Sequence, residues 1–257
     1  MRSLVLLLCG LASTSWAAEA PSAFTASAGV GFLNRSFTWN GDTALTQASQ
    51  PFAGAVAVDA AWFPGAHVTQ GPGSWFVIFG QGDFGLGLSS RLAYSQAVFA
   101  QTATRLRFGA LARFPASEHF ALLVHVGYAR QGFMTSSNAV SGTAARPNAP
   151  DVLIEGPRGG IGARIGLGGS VQLDILTGFQ WATGLGELGN ATWFPTSTAF
   201  GIDAGLGLSF GLVEHVRLRL SGDWQRTFVT LGGSAKWTAD SAAEQYISAA
   251  VTLQWAM

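Results

Sequence analysis

Four histidines, His67, His119, His125 and His215, are the first places to look for chemistry in this chain. An imidazole does acid–base work when a carboxylate orients it and a nucleophile or water lies within reach. Glu118-His119 and Glu214-His215 supply the carboxylate, but each pair sits in a polar break between apolar runs, and His67 falls at a break too. A solvated turn accounts for all three. His125 lies inside an alternating run, with Leu123 and Gly127 beside it on the same face, so no nucleophile is local to it. The sharpest acidic pattern is Asp203 and Asp223, which a hairpin pairing Phe210 with Val216 sets face to face. Facing carboxylates share a proton or a cation unless a cation from the protein neutralises them; Arg219, or an arginine from another strand, is expected to do so. The same alternation carries Arg105, Arg107, Arg113, Arg158, Arg164, Arg217 and Arg219, with Asp59 and Asp174 as further counter-charges. Guanidinium forks bridge two carboxylates at once, which suits a network better than a reaction. Glycine pairs on one face (Gly29/Gly31, Gly160/Gly162, Gly205/Gly207) make room for such side chains; none has the strand–turn–helix context of a phosphate loop. No catalytic, metal or cofactor residue is assigned, and no cofactor is expected.

The elements that position these groups are period-two runs. Thr104 to Arg130 reads as a hairpin turned around Phe114-Pro115-Ala116-Ser117. One face holds Leu106, Phe108, Ala110, Ala112 and Phe114, and the other holds Arg105, Arg107, Gly109, Leu111 and Arg113. Similar runs recur at Phe24–Phe37, Phe52–Phe63, Trp75–Phe84, Ile154–Leu167, Val171–Trp181, Thr198–Phe210, Val216–Phe228 and Tyr246–Met257, making ten strands. Trp75–Phe84 is apolar on both faces, so its alternation does not choose an inner side. A soluble sandwich needs many charges on its outer face, yet only 11% of this chain is charged, against roughly 25% in ordinary soluble proteins. The pattern therefore reads as inverted: greasy faces meet lipid, and the arginines and aspartates line a closed barrel.

Connections alternate in character. Those around Pro64–Ser74, Pro115–Ser117, Gly168–Ser170 and Gly211–His215 are mostly short. Those at Thr38–Pro51, Gly85–Gln101, Met134–Asp151, Ala182–Ser197 and Val229–Gln245 are longer and rich in small polar residues. Both termini then share the short-turn side. Aromatics at the strand ends (Trp62, Phe114, Phe120 and Trp255 at one end; Trp39, Phe84, Phe133 and Trp181 at the other) are placed as interfacial girdles.

Residues 1–17 carry a secretion signal: Arg2, then the apolar run Leu4 to Ala12, then Ser15-Trp16-Ala17 as a cleavage site. The domain after it is 18–257. The single cysteine, Cys9, leaves with the signal, which excludes disulfides and thiol chemistry from the mature chain. Arg2 is the one charged residue removed, so thirteen basic residues remain against fourteen acidic ones. With no basic stripe, nucleic acid is excluded as a partner.

On these residues the chain resembles a small bacterial outer-membrane β-barrel, and the final strand Val251-Thr252-Leu253-Gln254-Trp255-Ala256-Met257 resembles the signal read by the barrel-assembly machinery, with its aromatic two residues inside the end. The resemblance implies an all-β, antiparallel up-and-down transmembrane barrel of about ten strands in the outer membrane, with both termini periplasmic. It implies outer-membrane lipid and lipopolysaccharide as surroundings, the assembly machinery as a biogenesis partner, and a monomer. Omptin-type proteases use acid pairs and an Asp–His pair near the extracellular rim, whereas both acid–histidine neighbours here fall at the opposite end. The expected function is a structural or small-solute permeation role, with a lumen filled by an Arg–Asp network. A loop-based adhesin or hydrolase, or a soluble secreted ligand-binding barrel with every face reversed, are the alternatives.

Overall fold

The computed structural model describes residues 23–45, 48–66, 75–91, 97–142 and 148–257. The expected secretion signal and His67 lie outside these residues. Twelve strands are described: β1 (Phe24–Asn40), β2 (Ala48–Trp62), β3 (Phe76–Gly85), β4 (Ser89–Arg91), β5 (Val98–Ser117), β6 (Phe120–Thr135), β7 (Val152–Gly168), β8 (Val171–Ala182), β9 (Gly184–Gly186), β10 (Thr198–Val213), β11 (Val216–Thr230) and β12 (Ser241–Ala256). Ten of them form one antiparallel meander in which each strand pairs with the next long one. The ring closes where β1 pairs with β12, Thr25 opposite Ala256 through Asn40 opposite Ser241. The short β4 and β9 are additions that pair with β5 and β7 at the long-loop end. No open edge is left along the ring, which is the only way strands cross a hydrocarbon layer with every backbone group paired.

Alternation decides which side chains meet solvent or lipid. Val30, Phe52 and Val126 are 68%, 69% and 62% exposed on the outer face, while Ser27, Arg105 and Gln225 on the inner face are buried. Exposed large apolar side chains occur on each of the ten ring strands and form a continuous belt. That is far beyond the few hundred Å² a soluble monomer shows. Stacked rings join neighbouring strands on this surface, with Phe179 against Phe200 and Phe200 against Phe228. β3 is settled by its pairing: Gln81 opposes Arg107 and Asp83 opposes Arg105, so Gln81 and Asp83 face inward with Val77 and Phe79.

Two turns differ from the sequence expectation. β5 runs on to Ser117, so the hairpin turns at Glu118-His119 and Phe114 opposes Leu122, where Phe120 was expected. The proline does not stop the strand because it stands at a bulge, between Pro115 and Ser117, where its missing N–H costs no ladder bond. β10 likewise continues to Val213 and turns at Glu214-His215, which moves Ser209 opposite Arg219 and Asp203 opposite Gln225. Asp203 and Asp223 therefore do not face each other. Both slips are of two residues, so every side chain keeps its face. The β7–β8 hairpin has the expected register, Arg164 opposite Asp174 and Arg158 opposite Gln180. Its turn needs Gly168 and Gly169, whose φ values of 96° and 57° are left-handed.

Candidate functional site

The barrel interior is built in three layers. At the short-turn end lies a cavity of about 1250 Å³, which reaches the turns at Glu118-His119, Gly168-Gly169 and Glu214-His215. Against it the structure places Asp59, Arg105, Arg107, Arg113, His125, Arg158, Arg164, Asp174, Asp203, Arg217, Arg219 and Asp223, together with Gln81 and Asp83, which the sequence reading left out. Asp83 was missed because β3 has two apolar faces and gives no period-two cue.

The middle layer is a network of charges. Arg107 on β5 donates to Asp223 Oδ1 on β11 at 2.9 Å. In the ring order these two strands stand five places apart in either direction, so this bond crosses the full width of the lumen. Arg105 forks onto Asp83, its cross-strand neighbour, and reaches over to Asp223 at 3.3 Å and to Ser248 Oγ at 2.8 Å. Arg158 donates its Nε to Asp203 at 3.0 Å and its Nη2 to the other oxygen, spanning β8. Asp203 and Asp223 are thus each neutralised by arginine. His125 is held between Thr177 O, 3.2 Å from Nε2, and Arg158 Nη1, 3.4 Å from Nδ1. Arginine can only donate, so Nδ1 accepts and Nε2 carries the proton. That fixes a neutral imidazole in a structural role. Nearer the mouth, Arg164 grips Asp174 with bonds of 2.8 and 3.2 Å, Arg219 reaches the same carboxylate at 3.2 Å, and Ser27 donates to Asp59.

Glycines on the inner face let these long side chains lie flat. A Cβ at Gly178 would stand 2.7 Å from Asp203 Oδ2 and 2.9 Å from Arg158 Nη2, and one at Gly207 would stand 2.5 Å from Arg219 Nη2. Of the expected pairs, Gly160 and Gly205 do make such room, for His125 and Asp223, whereas Gly29 and Gly31 abut the backbone of β12. Gly178→Val is expected to lower stability by about 1–3 kcal/mol through overpacking, read as a lower urea midpoint for the folded band.

The third layer, at the long-loop end, is apolar. Phe37 and Trp39 on β1, Val152 and Ile154 on β7, and Val229 on β11 point inward and meet loop residues Leu45, Leu188, Phe194 and Trp237, while Leu33 joins a second buried cluster with Leu88, Phe133 and Tyr246. Trp39 packs edge-on against Phe37 at 4.7 Å and in a tilted arrangement against Phe194 at 6.0 Å. Trp39 and Phe133, expected in a lipid-facing girdle, are instead 5% and 6% exposed, because their parity along the strand places them inside. Eight of the ten ring strands explain why there is space for such a cap: 15 to 20 residues at about 3.3 Å each, tilted by about 40°, stand well above an apolar band of about 25 Å, while β3 and β8 are shorter, at 10 and 12 residues. Beneath the cap a second unexpected group, Arg35 bonded to Glu244, lies 3.7 Å over the ring of Phe133, with both side chains 2% exposed. Arg35 shares its face with Leu33 and Phe37, a parity legible in the sequence.

The loops are clasped over the cap by Asp42, whose Oδ2 accepts the Thr238 N–H at 2.8 Å and whose Oδ1 accepts the Ala44 N–H at 2.8 Å. The Thr238 bond, then that from Ala44, holds this carboxyl below the ordinary aspartate range. Its ionised form belongs to the folded loop. The clasp is therefore complete at neutral pH and is lost as the pH falls through that depressed value. Amide exchange at Thr238 should quicken only in that acidic window, and Asp42→Asn should remove the window.

No protein-family model matches the chain, and no curated protein matches it. Among solved structures, the outer membrane protease OmpT from Escherichia coli is similar over 95% of this chain and 100% of its own, with a TM-score of 0.57 at 11% identity. The translocator domain of the autotransporter NalP from Neisseria meningitidis is similar over 99% and 93%, with a TM-score of 0.44 at 14% identity. Neisserial surface protein A is similar over 93% and 100%, with a TM-score of 0.31 at 12% identity. By fold, this chain is a closed ten-stranded antiparallel barrel of the kind found in bacterial outer-membrane proteins. Likeness at such identities concerns the fold alone.

Proposed function

We propose that the protein is an integral outer-membrane barrel whose lumen is closed, serving a structural and surface-presenting role and forming no general diffusion pore. The observation that carries this is the Arg107–Asp223 bond, made between strands on opposite walls. A lumen narrow enough for one guanidinium to bridge has no continuous water column there, as expected near the eight-strand end of the size range. The apolar cap closes the long-loop end a second time. The outer belt of apolar side chains supports lipid and lipopolysaccharide as the surroundings, and the short-turn and long-loop asymmetry supports periplasmic termini. The ring is completed within one chain by β1 and β12, so the barrel needs no partner strand, and the proposal includes a monomer delivered by the barrel-assembly machinery. A protease role drawn from OmpT is not supported, because no histidine falls in a long loop and the one inside the barrel is fixed by Arg158 and Thr177.

Fractionation and gel mobility test the location. The protein should sediment with outer membranes, need detergent for extraction, and migrate faster unboiled than boiled. Recovery from the periplasmic extract with one mobility would overturn the membrane reading and restore the soluble ligand-binding barrel.

A further inference from the structure

At the mouth of the lumen three arginines gather around one bonded carboxylate. Arg113, Arg164 and Arg219 face the cavity at the short-turn end, and Asp174 is shared by Arg164 and Arg219. Asp59 stands on the wall formed by β2 and is engaged by Ser27. Arg113 is half-buried and has no hydrogen-bonded or ion-pair partner among the described residues; the charges acting on it are Arg164, which repels it, and Asp174. Cross-strand register sets it close to that group: Arg113 opposes Leu123 on β6, and two residues along β6 Ala121 opposes Arg164. A guanidinium held half-buried beside another cation is costly unless an anion joins them. The turn carboxylates that line the same cavity, Glu118 and Glu214, are exposed at turn tips, and neither is bonded to Arg113 among the described residues.

We infer that this mouth is a binding site for a small soluble phosphate compound, entering from the short-turn end. Planar guanidinium forks match the oxygens of phosphate and hold them with charge-assisted bonds. The cavity, about 1250 Å³, is ample for a phosphorylated metabolite and somewhat larger than most ligand pockets. The closed sheet walls it off from lipid on all sides, so a membrane headgroup has no lateral way in. Arg113 is the residue assigned to the ligand, with Arg164 and Arg219 completing the cradle while they keep Asp174.

The test is calorimetric titration of the full mature barrel, in a neutral detergent, with pyrophosphate as the probe and sodium chloride at matched ionic strength as the control. Saturable one-site binding beyond the chloride control is expected. Arg113→Gln should weaken it by about tenfold or more, and Arg113→Lys should retain most of it. Ala121→Glu, which sets a carboxylate opposite Arg164, should abolish it, and this second variant decides the matter if Arg113→Gln fails to show the unboiled fast-migrating form. Absence of saturable heat in the unmodified protein, or unchanged affinity in these variants, would overturn the site. A barrel that conducts yet still binds pyrophosphate would sink the closed lumen and leave the site standing.

Discussion

Glu244→Ala is expected to lower the unfolding free energy of the barrel by about 3–5 kcal/mol, because it strands a buried charge beneath an apolar cap. Arg35 and Glu244 are each 2% exposed and bonded to one another, diagonally across the β1–β12 seam. The arginine is flanked by the rings of Phe133 and Phe37, 3.7 and 5.4 Å from its guanidinium carbon, and no second carboxylate is bonded to it among the described residues. Removing the partner leaves the cation with only those faces, which are worth about 2 kcal/mol at most. Arg35→Met combined with Glu244→Leu should recover most of the loss, since the layer above is already apolar. Urea titrations in lipid vesicles over this mutant cycle read the coupling directly. A single Glu244→Ala variant within about 0.5 kcal/mol of the parent would mean that Arg35 finds water, contradicting a sealed cap.

Asp223→Ala should be comparably severe, and for a different reason. Its carboxylate receives Arg107 at 2.9 Å and Arg105 at 3.3 Å, two arginines one face-step apart on β5. Without it Arg105 retains Asp83, but Arg107 keeps only Gln225 Oε1 at 3.5 Å. An uncompensated buried guanidinium beside a second one costs about 3–5 kcal/mol. The transverse tie between β5 and β11 is lost as well, so this variant should also leak small ions. Asp59→Ala is the internal control. Asp59 is tied to the Ser27 hydroxyl in the wide vestibule, and its loss should cost only about 0.5–1.5 kcal/mol with no leak.

Much of this arrangement is legible in period two alone. Alternation separates Arg105 and Arg107 from Phe108 and identifies each inward arginine without any knowledge of the turns. Pairing is legible only where the turn chemistry is unambiguous. Gly168-Gly169 fixes the Arg164–Asp174 register, whereas the bulges at Pro115 and between Gly211 and Val213 hide two further residues of strand. Because the slips are even, they rearranged neighbours and left faces untouched, which is why Asp203 lost Asp223 as a facing partner and kept its place in the lumen. The cap is illegible for a physical reason. From Leu33 to Trp39 the apolar face, with Arg35 among it, turns inward while Asn34, Ser36 and Thr38 turn outward, so a rule that sends greasy faces to lipid picks the wrong side here. Contacts from distant loop residues such as Phe194 and Trp237 decide it, and those belong to tertiary packing.

The closed lumen is tested most directly by single-channel recording of the unmodified protein in planar bilayers. A barrel bridged by Arg107 and Asp223 and capped by Trp39 and Phe194 predicts traces at the leak of the bare membrane, with steady steps emerging only when Asp223 is replaced. A stable, wide conductance from the unmodified protein would contradict it.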